Sequence, residues 1–283
     1  MVIWILDALT YALTLSLVVL GLGIVFGLMG VINVAHGEFF ALGAFGLLIG
    51  EEHGLGFYGG VVLALLIAGL AGVLTQIVIV RRLYGNLLMT LLATYGLSIA
   101  IRQSLQWKFG PQGHGVTAPV SGTVDIFGTS YPLYRFFIMG ISLAALGAAA
   151  WFFSRTRAGI VARAAFENRS MAEVIGIRVR RIDMLMFGIG TAMAGLAGAI
   201  MAPVLSVTPD VGQQYLVYSF LIVIFVGLET MRQNLFVLVL GALIIGSMSS
   251  VLSRSTSGLI AEVAVMGMVV AVLVARPQGL AAR

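Results

Sequence analysis

The stretch Val31-Ile32-Asn33-Val34-Ala35-His36-Gly37-Glu38 interrupts an otherwise apolar part of the chain. Residues 8–30 before it contain no charged side chain over 23 positions, and residues 39–50 after it form an apolar run of 12. A helix needs about 20 residues to cross the roughly 30 Å hydrocarbon core of a bilayer, so the first run spans it and the second is too short to do so alone. Because polar groups in lipid are costly and face a cavity or the protein interior, the break predicts where a transported molecule passes.

Four residues of this break are the candidates for the transport pathway: Asn33, His36, Gly37 and Glu38. One role for them is structural, because Asn33 or His36 can cap the backbone groups that a broken helix leaves unpaired. The other role is direct contact with the solute. The two roles are compatible, and the sequence leaves the choice between them open.

The composition indicates a membrane protein. The 283 residues are 60% hydrophobic and only 10% charged, whereas soluble proteins carry about 25% charged residues. No soluble domain fits between the apolar runs, so residues 1–283 are expected to form a single transmembrane domain. The 36 glycines suit helices that pack closely in lipid, and the absence of cysteine excludes disulfides and Cys-based metal sites.

The apolar runs predict an all-α, polytopic membrane protein of about eight or nine transmembrane or half-membrane helices. A second polar break, residues 208–214, precedes a short run at 215–228, just as the first break precedes residues 39–50. The two short runs start from opposite sides of the membrane, which indicates an inverted repeat with a binding site at its interface. The first break is expected toward the inner side and the second toward the outer side. The remaining full-length runs are 57–80, 87–106, 135–153, 184–207, 235–252 and 259–275.

The distribution of arginine predicts the orientation. Placing Arg81 and Arg82 inside puts the arginine-rich loop 154–183 in the cytoplasm and the N-terminus outside, which agrees with the positive-inside rule. This accounts for twelve of the sixteen basic residues without a nucleic-acid partner. Arg102 lies near the far end of its run, where it is expected to snorkel to the membrane surface.

The sequence contains no pattern typical of an enzyme. It has no Gly-x-x-x-x-Gly-Lys-Ser/Thr motif for ATP, and its three histidines are scattered, so we expect no catalytic residue, no metal site and no cofactor in this chain. An energy source must then come from a partner or from an ion gradient.

The arginine-rich loop carries the second informative stretch. Its apolar spacing predicts one helix from Val161 to Ile175 that ends at Gly176. Two interpretations stay open: a linker lying on anionic lipid headgroups, or a coupling helix docked in a groove of a partner. The residues of this helix that are expected to share one face are Ala162, Phe166, Arg169 and Ala172.

Three stretches make the chain resemble the inner-membrane permease subunits of branched-chain amino-acid-type ABC importers, a family that includes urea and short-chain amide permeases. Residues 27–38 are similar to the family pattern Gly-x-x-x-x-Ile-Asn-Phe-Ala-His-Gly-Asp/Glu, with Val34 in place of Phe. Residues 167–177 are similar to its Gln-Asn segment ahead of Gly-Ile, and the tail 276–280 reads Arg-Pro-Gln-Gly-Leu.

The resemblance implies a permease of the bacterial inner membrane that moves branched-chain amino acids or a related small polar solute. It implies a second permease subunit, giving a heterodimer, together with two cytoplasmic ATPase subunits that bind ATP-Mg and a periplasmic solute-binding protein. The residues it implies for coupling to the ATPase are Arg163, Phe166, Glu167, Asn168, Ala172 and Gly176.

Alternatives to this function remain at this stage. The stretches 91–98, 109–112 and 212–217 resemble the urea and amide branch of the family. The family usually has a Gly-Gly-x-Gly loop where residues 227–234 have one glycine, which puts that loop's role in doubt. From other classes, a proton- or ion-coupled transporter would use Glu38 and His36 as its titrating pair, and a passive channel would need no energy source.

Overall fold

The computed structural model describes residues 2–126, 128–227 and 234–275. Within these ranges the chain is a bundle of helices with one small β-hairpin, as the apolar pattern predicts. Five helices are long and apolar enough to cross a membrane. The prediction of an all-α polytopic membrane protein is therefore confirmed. The helices are α1 (Val2–Met29), α2 (His36–Glu52), α3 (Gly56–Val78), α4 (Leu87–Phe109), α5 (Leu133–Arg155), α6 (Arg157–Glu167), α7 (Arg169–Val174), α8 (Val179–Met201), α9 (Gln213–Val226), α10 (Val237–Ser255) and α11 (Gly258–Ala275).

The bundle has two distinct ends. Strands β1 (Thr123–Ile126) and β2 (Thr129–Pro132) pair antiparallel at one end, which we name the hairpin end. Asp7, near the start of α1, lies at this end because the Tyr131 hydroxyl donates to it at 3.1 Å. Helices α6 and α7 lie at the other end, the arginine end, where α1 finishes.

Helices α1 and α8 form the centre of the bundle. In the most apolar window of each helix, 83% of α1 and 61% of α8 is buried, against 28% of α3 and α5. Helix α2 packs between α3 and α8, and most of its side chains are buried although it is short. The broken element is thus at the core of the fold.

Glycine permits this packing. A methyl group added at Gly190 of α8 would lie 2.6 Å from the carbonyl oxygen of Gly21 in α1, and one added at Gly46 of α2 would lie 2.7 Å from the Cα of Ala64 in α3. One added at Gly43 of α2 would overlap the backbone of α8. Close backbone approach of this kind replaces the hydrophobic effect as the source of helix association in lipid.

The two polar breaks meet inside the bundle. Helix α2 begins level with Val18, in the middle of α1, and a methyl group added at Gly37 would lie 2.5 Å from the carbonyl oxygen of Gly212, the residue before α9. The first break enters from the arginine end, where Gly30 and Val31 lie beside Arg169, and the second enters from the other end of the bundle, where Val207 pairs with His114 beyond the end of α4. That the first break lies toward the inner side of the membrane and the second toward the outer side stays a prediction. Residues 30–35 return from the end of α1 into the bundle, which brings the start of α2 to the start of α9.

The predicted single helix from Val161 to Ile175 is wrong. The chain forms two helices that meet at Asn168, which ends α6 and whose side-chain oxygen accepts a hydrogen bond from the Met171 amide at 2.9 Å to begin α7. An asparagine in an extended conformation caps a new helix better than it continues an old one. The interpretations of residues 228–233 and of the tail 276–280 fall outside the described residues.

A substitution of Gly43 tests the packing. We expect Gly43→Val to lower the melting temperature of the detergent-purified protein strongly, because overpacking costs about 1–3 kcal/mol or more, and here the added atoms would overlap the backbone of α8. Gly147→Val, in open space on α5, is the matched control. Equal melting temperatures for the two variants, measured by heating followed by size-exclusion chromatography, would contradict this packing.

Candidate functional site

The turn before α2 is built by Asn33. Its side-chain oxygen accepts a hydrogen bond from the Ala35 amide at 3.1 Å, and its carbonyl oxygen accepts one from the His36 amide at 3.2 Å. Thr94 of α4 supports the same segment, since its hydroxyl oxygen accepts a hydrogen bond from the Val34 amide at 3.1 Å. Asn33 thus satisfies backbone donors freed by the break, as its structural role predicts.

His36 fastens α2 to α1. Its Nε2 lies 3.0 Å from the Val18 carbonyl oxygen, a geometry in which the ring N–H donates. The Val18 carbonyl lies in the middle of α1, so this hydrogen bond links α2 to α1. The imidazole is fully buried and sits edge-on to Phe39.

Glu38 joins three helices at one point. Its Oε1 accepts hydrogen bonds from the Ser98 hydroxyl at 2.8 Å and from Arg102 Nη2 at 2.6 Å, both on α4. When the side-chain amide of Gln213 in α9 is oriented with its oxygen toward Arg102, that oxygen accepts hydrogen bonds from Nη2 at 2.8 Å and from Nε at 3.2 Å of the same guanidinium. We name these four residues the junction cluster: Glu38, Ser98, Arg102 and Gln213.

The sequence suggested that Arg102 snorkels to the membrane surface, and the structure shows that it does not. The buried carboxylate of Glu38, 2% exposed, attracts its guanidinium into the bundle instead. The sequence carried a signal for this arrangement: Thr90, Thr94, Ser98 and Arg102 recur every fourth residue and form a polar stripe along one face of α4. The first three are buried, as is Leu105, in a helix most of whose other side chains are exposed.

The electrostatics of the junction cluster are balanced. One carboxylate faces one guanidinium, and helices α2 and α9 both begin nearby, with Gly37 against Gly212. A helix N-terminus carries a partial positive charge of about half a unit, which favours Glu38 in the first turn of α2. The described residues contain no group of three His, Asp or Glu side chains that suits a metal ion. The carboxylate–guanidinium pair can hold α2, α4 and α9 together or exchange partners with a polar solute.

The arginine-rich loop divides into a packed face and an exposed face. Ala162 and Ala172 are buried, and Phe166 is half-buried against the main core. The helix face that these residues were predicted to share therefore packs against the membrane helices. The exposed members of the predicted coupling set are Arg163, Glu167, Asn168 and Gly176.

An ion pair fixes α7 to the membrane helices. Arg169 Nη2 lies 2.6 Å from Oδ2 of Asp183, which is buried at the start of α8, and the guanidinium stands 4.7 Å from the centre of the Tyr84 ring. Burial raises the pKa of the Tyr84 hydroxyl, and the charge of Asp183 raises it further, so this ring is neutral beneath the cation. Sequence reasoning placed Arg169 on the correct face and missed both of its partners.

The end of α7 exposes apolar side chains that its packed face does not use. Met171 is 57% exposed, Val174 82% and Ile175 67%. We name these three residues the α7 tip. They sit among exposed polar neighbours at the arginine end, and sequence reasoning did not select them because periodicity pointed to the opposite face.

The comparisons with known proteins identify the class. A family model described as branched-chain amino acid transport system / permease component matches residues 4–275, so the chain belongs to that family of membrane permeases. It is 26% identical over 293 residues to the high-affinity branched-chain amino acid transport system permease protein LivH of Escherichia coli, covering 98% of this chain and 94% of that protein. It is 24% identical over 294 residues to BraD of Pseudomonas aeruginosa, with the same coverage. No solved structure matches the chain significantly.

Removing one partner of the central ion pair tests the junction cluster. We expect Arg102→Leu to destabilise the protein by about 3–5 kcal/mol, since it leaves the Glu38 carboxylate buried without its cation. The double variant Glu38→Gln with Arg102→Leu should regain part of the lost melting temperature, because Gln still accepts from Ser98. Arg81→Leu, which removes an exposed arginine, is the control. If Arg102→Leu were as stable as Arg81→Leu, the Glu38–Arg102 ion pair would not stabilise the bundle as described here.

Proposed function

We propose that this chain works as the permease subunit of an ABC importer that carries branched-chain amino acids, or a related small polar solute, across a bacterial inner membrane. The observation that carries the proposal is the meeting of two half-membrane helices at Gly37 and Gly212, in a chain of this family. Opposed half-helices form a central site in transporters that alternate between two open states. The matched relatives are named as branched-chain amino acid permeases, which supports that substrate class.

The orientation follows from charge. The arginine end carries Arg81, Arg82 and the loop of α6 and α7, so we assign it to the cytoplasm. The N-terminus and the β-hairpin then face the periplasm. A periplasmic binding protein would deliver solute at the hairpin end, and a second permease subunit would complete the pathway through the membrane.

The α7 tip supports an ATPase partner at the arginine end. Exposed apolar side chains surrounded by polar ones suit docking into a groove of a soluble subunit. Two ATPase subunits that bind ATP-Mg would move the α7 tips of two permeases, and the Arg169–Asp183 ion pair connects each tip to α8. This chain then needs neither a cofactor nor catalytic residues of its own.

The competing functions have less support. A proton-coupled transporter would use His36 and Glu38 as a pair, yet each has its own partner, Val18 for His36 and Arg102 for Glu38. The urea and amide alternative gains nothing from the named relatives.

Reconstitution tests the function. The chain is co-expressed with its partner permease, ATPase and binding protein, and uptake of labelled leucine into proteoliposomes is measured. We expect uptake that requires ATP and stops with a hydrolysis-deficient ATPase. Uptake by this chain alone that an uncoupler abolishes would overturn the importer assignment.

A charge at the α7 tip tests the docking surface. We expect Val174→Asp to reduce co-purification of the ATPase by about tenfold or more, since desolvating an unpaired charge at an interface costs several kcal/mol. Ser170→Asp adds the same charge on an exposed position of the same helix and should leave co-purification unchanged. Equal effects of the two variants would mean that the ATPase binds elsewhere.

A further inference from the structure

A cleft opens at the arginine end, between the end of α5, helix α6, the last turn of α1 and the residues that lead into α10. Its volume is about 600 Å³. One flank of α6 lines the cleft with four residues at helical spacing: Ile160, Arg163, Ala164 and Glu167. The other walls come from α5, from Gly27 of α1 and from residues 234–236. Neither the junction cluster nor the α7 tip contributes to this lining.

The corner between α5 and α6 fixes the arginines beside the cleft. The Thr156 hydroxyl donates to the Phe152 carbonyl oxygen at 2.7 Å and accepts from the Gly159 amide at 3.1 Å. Helix α6 lies so close to α5 that a methyl group added at Gly159 would overlap the α5 backbone. Arg155 and Arg157 flank Thr156 and are exposed, so the corner holds both of them close to where α5 lines the cleft.

The charges around the cleft favour an anion. Arg163 and Glu167 lie on its lining, and Arg155 and Arg157 lie at the adjoining corner. Three arginines against one glutamate leave a net positive charge there. Arginines at the cytoplasmic surface of a membrane attract anionic lipid headgroups in this way.

The depth of the cleft favours a lipid over a soluble anion. Trp151, one turn before the end of α5, is 63% exposed, and tryptophan on the outside of a membrane helix concentrates at headgroup level. Ala150 lies on the hydrocarbon side of Trp151. Together with Gly27, Phe153 and Phe236 it gives the cleft an apolar wall. A soluble anion gains nothing from such a wall, whereas an acyl chain does.

We propose that this cleft binds an anionic phospholipid of the inner leaflet. The phosphate would lie against Arg163, with Arg155 and Arg157 nearby, and the upper part of an acyl chain would lie against Phe153 and Ile160. Glycerol joins the phosphate to the acyl chains, so one molecule carries its charge at the mouth of the cleft and its apolar part further in.

The two interpretations of the arginine-rich loop then apply to different helices. Helix α6 contacts lipid, and the α7 tip contacts the ATPase. The lipid site goes beyond the proposed function because it requires no particular transported solute. Only the choice of leaflet uses the orientation assigned above.

Native mass spectrometry of the full chain, purified in detergent and freed of lipid, tests the site. Phosphatidylglycerol or phosphatidylcholine with the same acyl chains is added, and the lipid-bound fraction gives the relative affinity. We expect phosphatidylglycerol to bind about tenfold more tightly, because only its headgroup carries a net negative charge. Glycerophosphoglycerol, the same headgroup without acyl chains, should not compete at the same concentration.

Two charge variants on the lining should change the affinity in opposite directions. We expect Arg163→Gln to weaken phosphatidylglycerol binding about fivefold and Glu167→Gln to strengthen it by a similar factor. Both should leave phosphatidylcholine binding nearly unchanged. Arg180→Gln, which removes an exposed arginine of α8 outside the cleft, is the matched control.

A bulky side chain on the apolar wall tests the acyl-chain position. We expect Ala150→Trp to abolish binding of phosphatidylglycerol, whereas Ala148→Trp, on the exposed side of α5, should bind it normally. The melting temperature shows whether each variant is folded. If Ala150→Trp is unstable, the charge variants decide the result, since Arg163 and Glu167 are exposed.

Several outcomes would overturn the lipid site. These are equal affinity for the two lipids, equal effects of Arg163→Gln and Arg180→Gln, competition by glycerophosphoglycerol, or normal binding by folded Ala150→Trp. If Arg163→Gln and Glu167→Gln leave lipid binding unchanged but abolish co-purification of the ATPase, the cleft belongs to the ATPase instead. Absence of leucine uptake in the reconstituted importer contradicts the proposed function and leaves the lipid site standing.

Discussion

A helix that begins inside a bilayer leaves its first N–H groups without partners, and the hydrocarbon core has no water to supply them. Helices α2 and α9 both begin in this way. At the start of α2, the Asn33 side chain accepts a hydrogen bond from the Ala35 amide. The negative charge of Glu38 lies in the first turn of the same helix, and Arg102 pairs with it. Helices α2, α4 and α9 come together where these groups are satisfied.

Small residues make this arrangement physically possible. Gly37 and Gly212 allow the two helix starts to touch, and Gly21, Gly43 and Gly46 let α1 and α2 lie against their neighbours at backbone distance. Larger residues would push α2 outward and expose the junction to lipid. Packing and polar satisfaction thus depend on each other, since the Glu38 carboxylate, once buried away from water, needs its partners on α4.

The ends of the molecule connect to this centre through a few rigid elements. At the arginine end, Arg169 and Asp183 join the exposed α7 tip to the first turn of α8, whose middle packs on α1 through Gly190. Helix α8 in turn packs against α2, whose first turn carries Glu38 of the junction cluster. At the hairpin end, Arg135 of α5 and Arg254 of α10 both pair with Asp7 near the start of α1.

The sequence by itself determined the class of the molecule. Apolar runs of helical length predicted the five helices that are long and apolar enough to span, residues 31–38 defined the break, and the arginine distribution distinguished the two ends, because these properties depend on composition and spacing alone. Only the tertiary structure decided that the two breaks meet, that Arg102 turns inward to Glu38, and that α6 and α7 turn their periodic face toward the core. Each of these depends on contacts between residues some 15 to 175 positions apart in the sequence, such as Glu38 with Gln213 through Arg102, or Arg169 with Asp183. The sequence shows that Arg102 is charged and lies near the end of an apolar run. The low-dielectric pocket that makes Glu38 its best partner exists only once α2, α4 and α9 have come together.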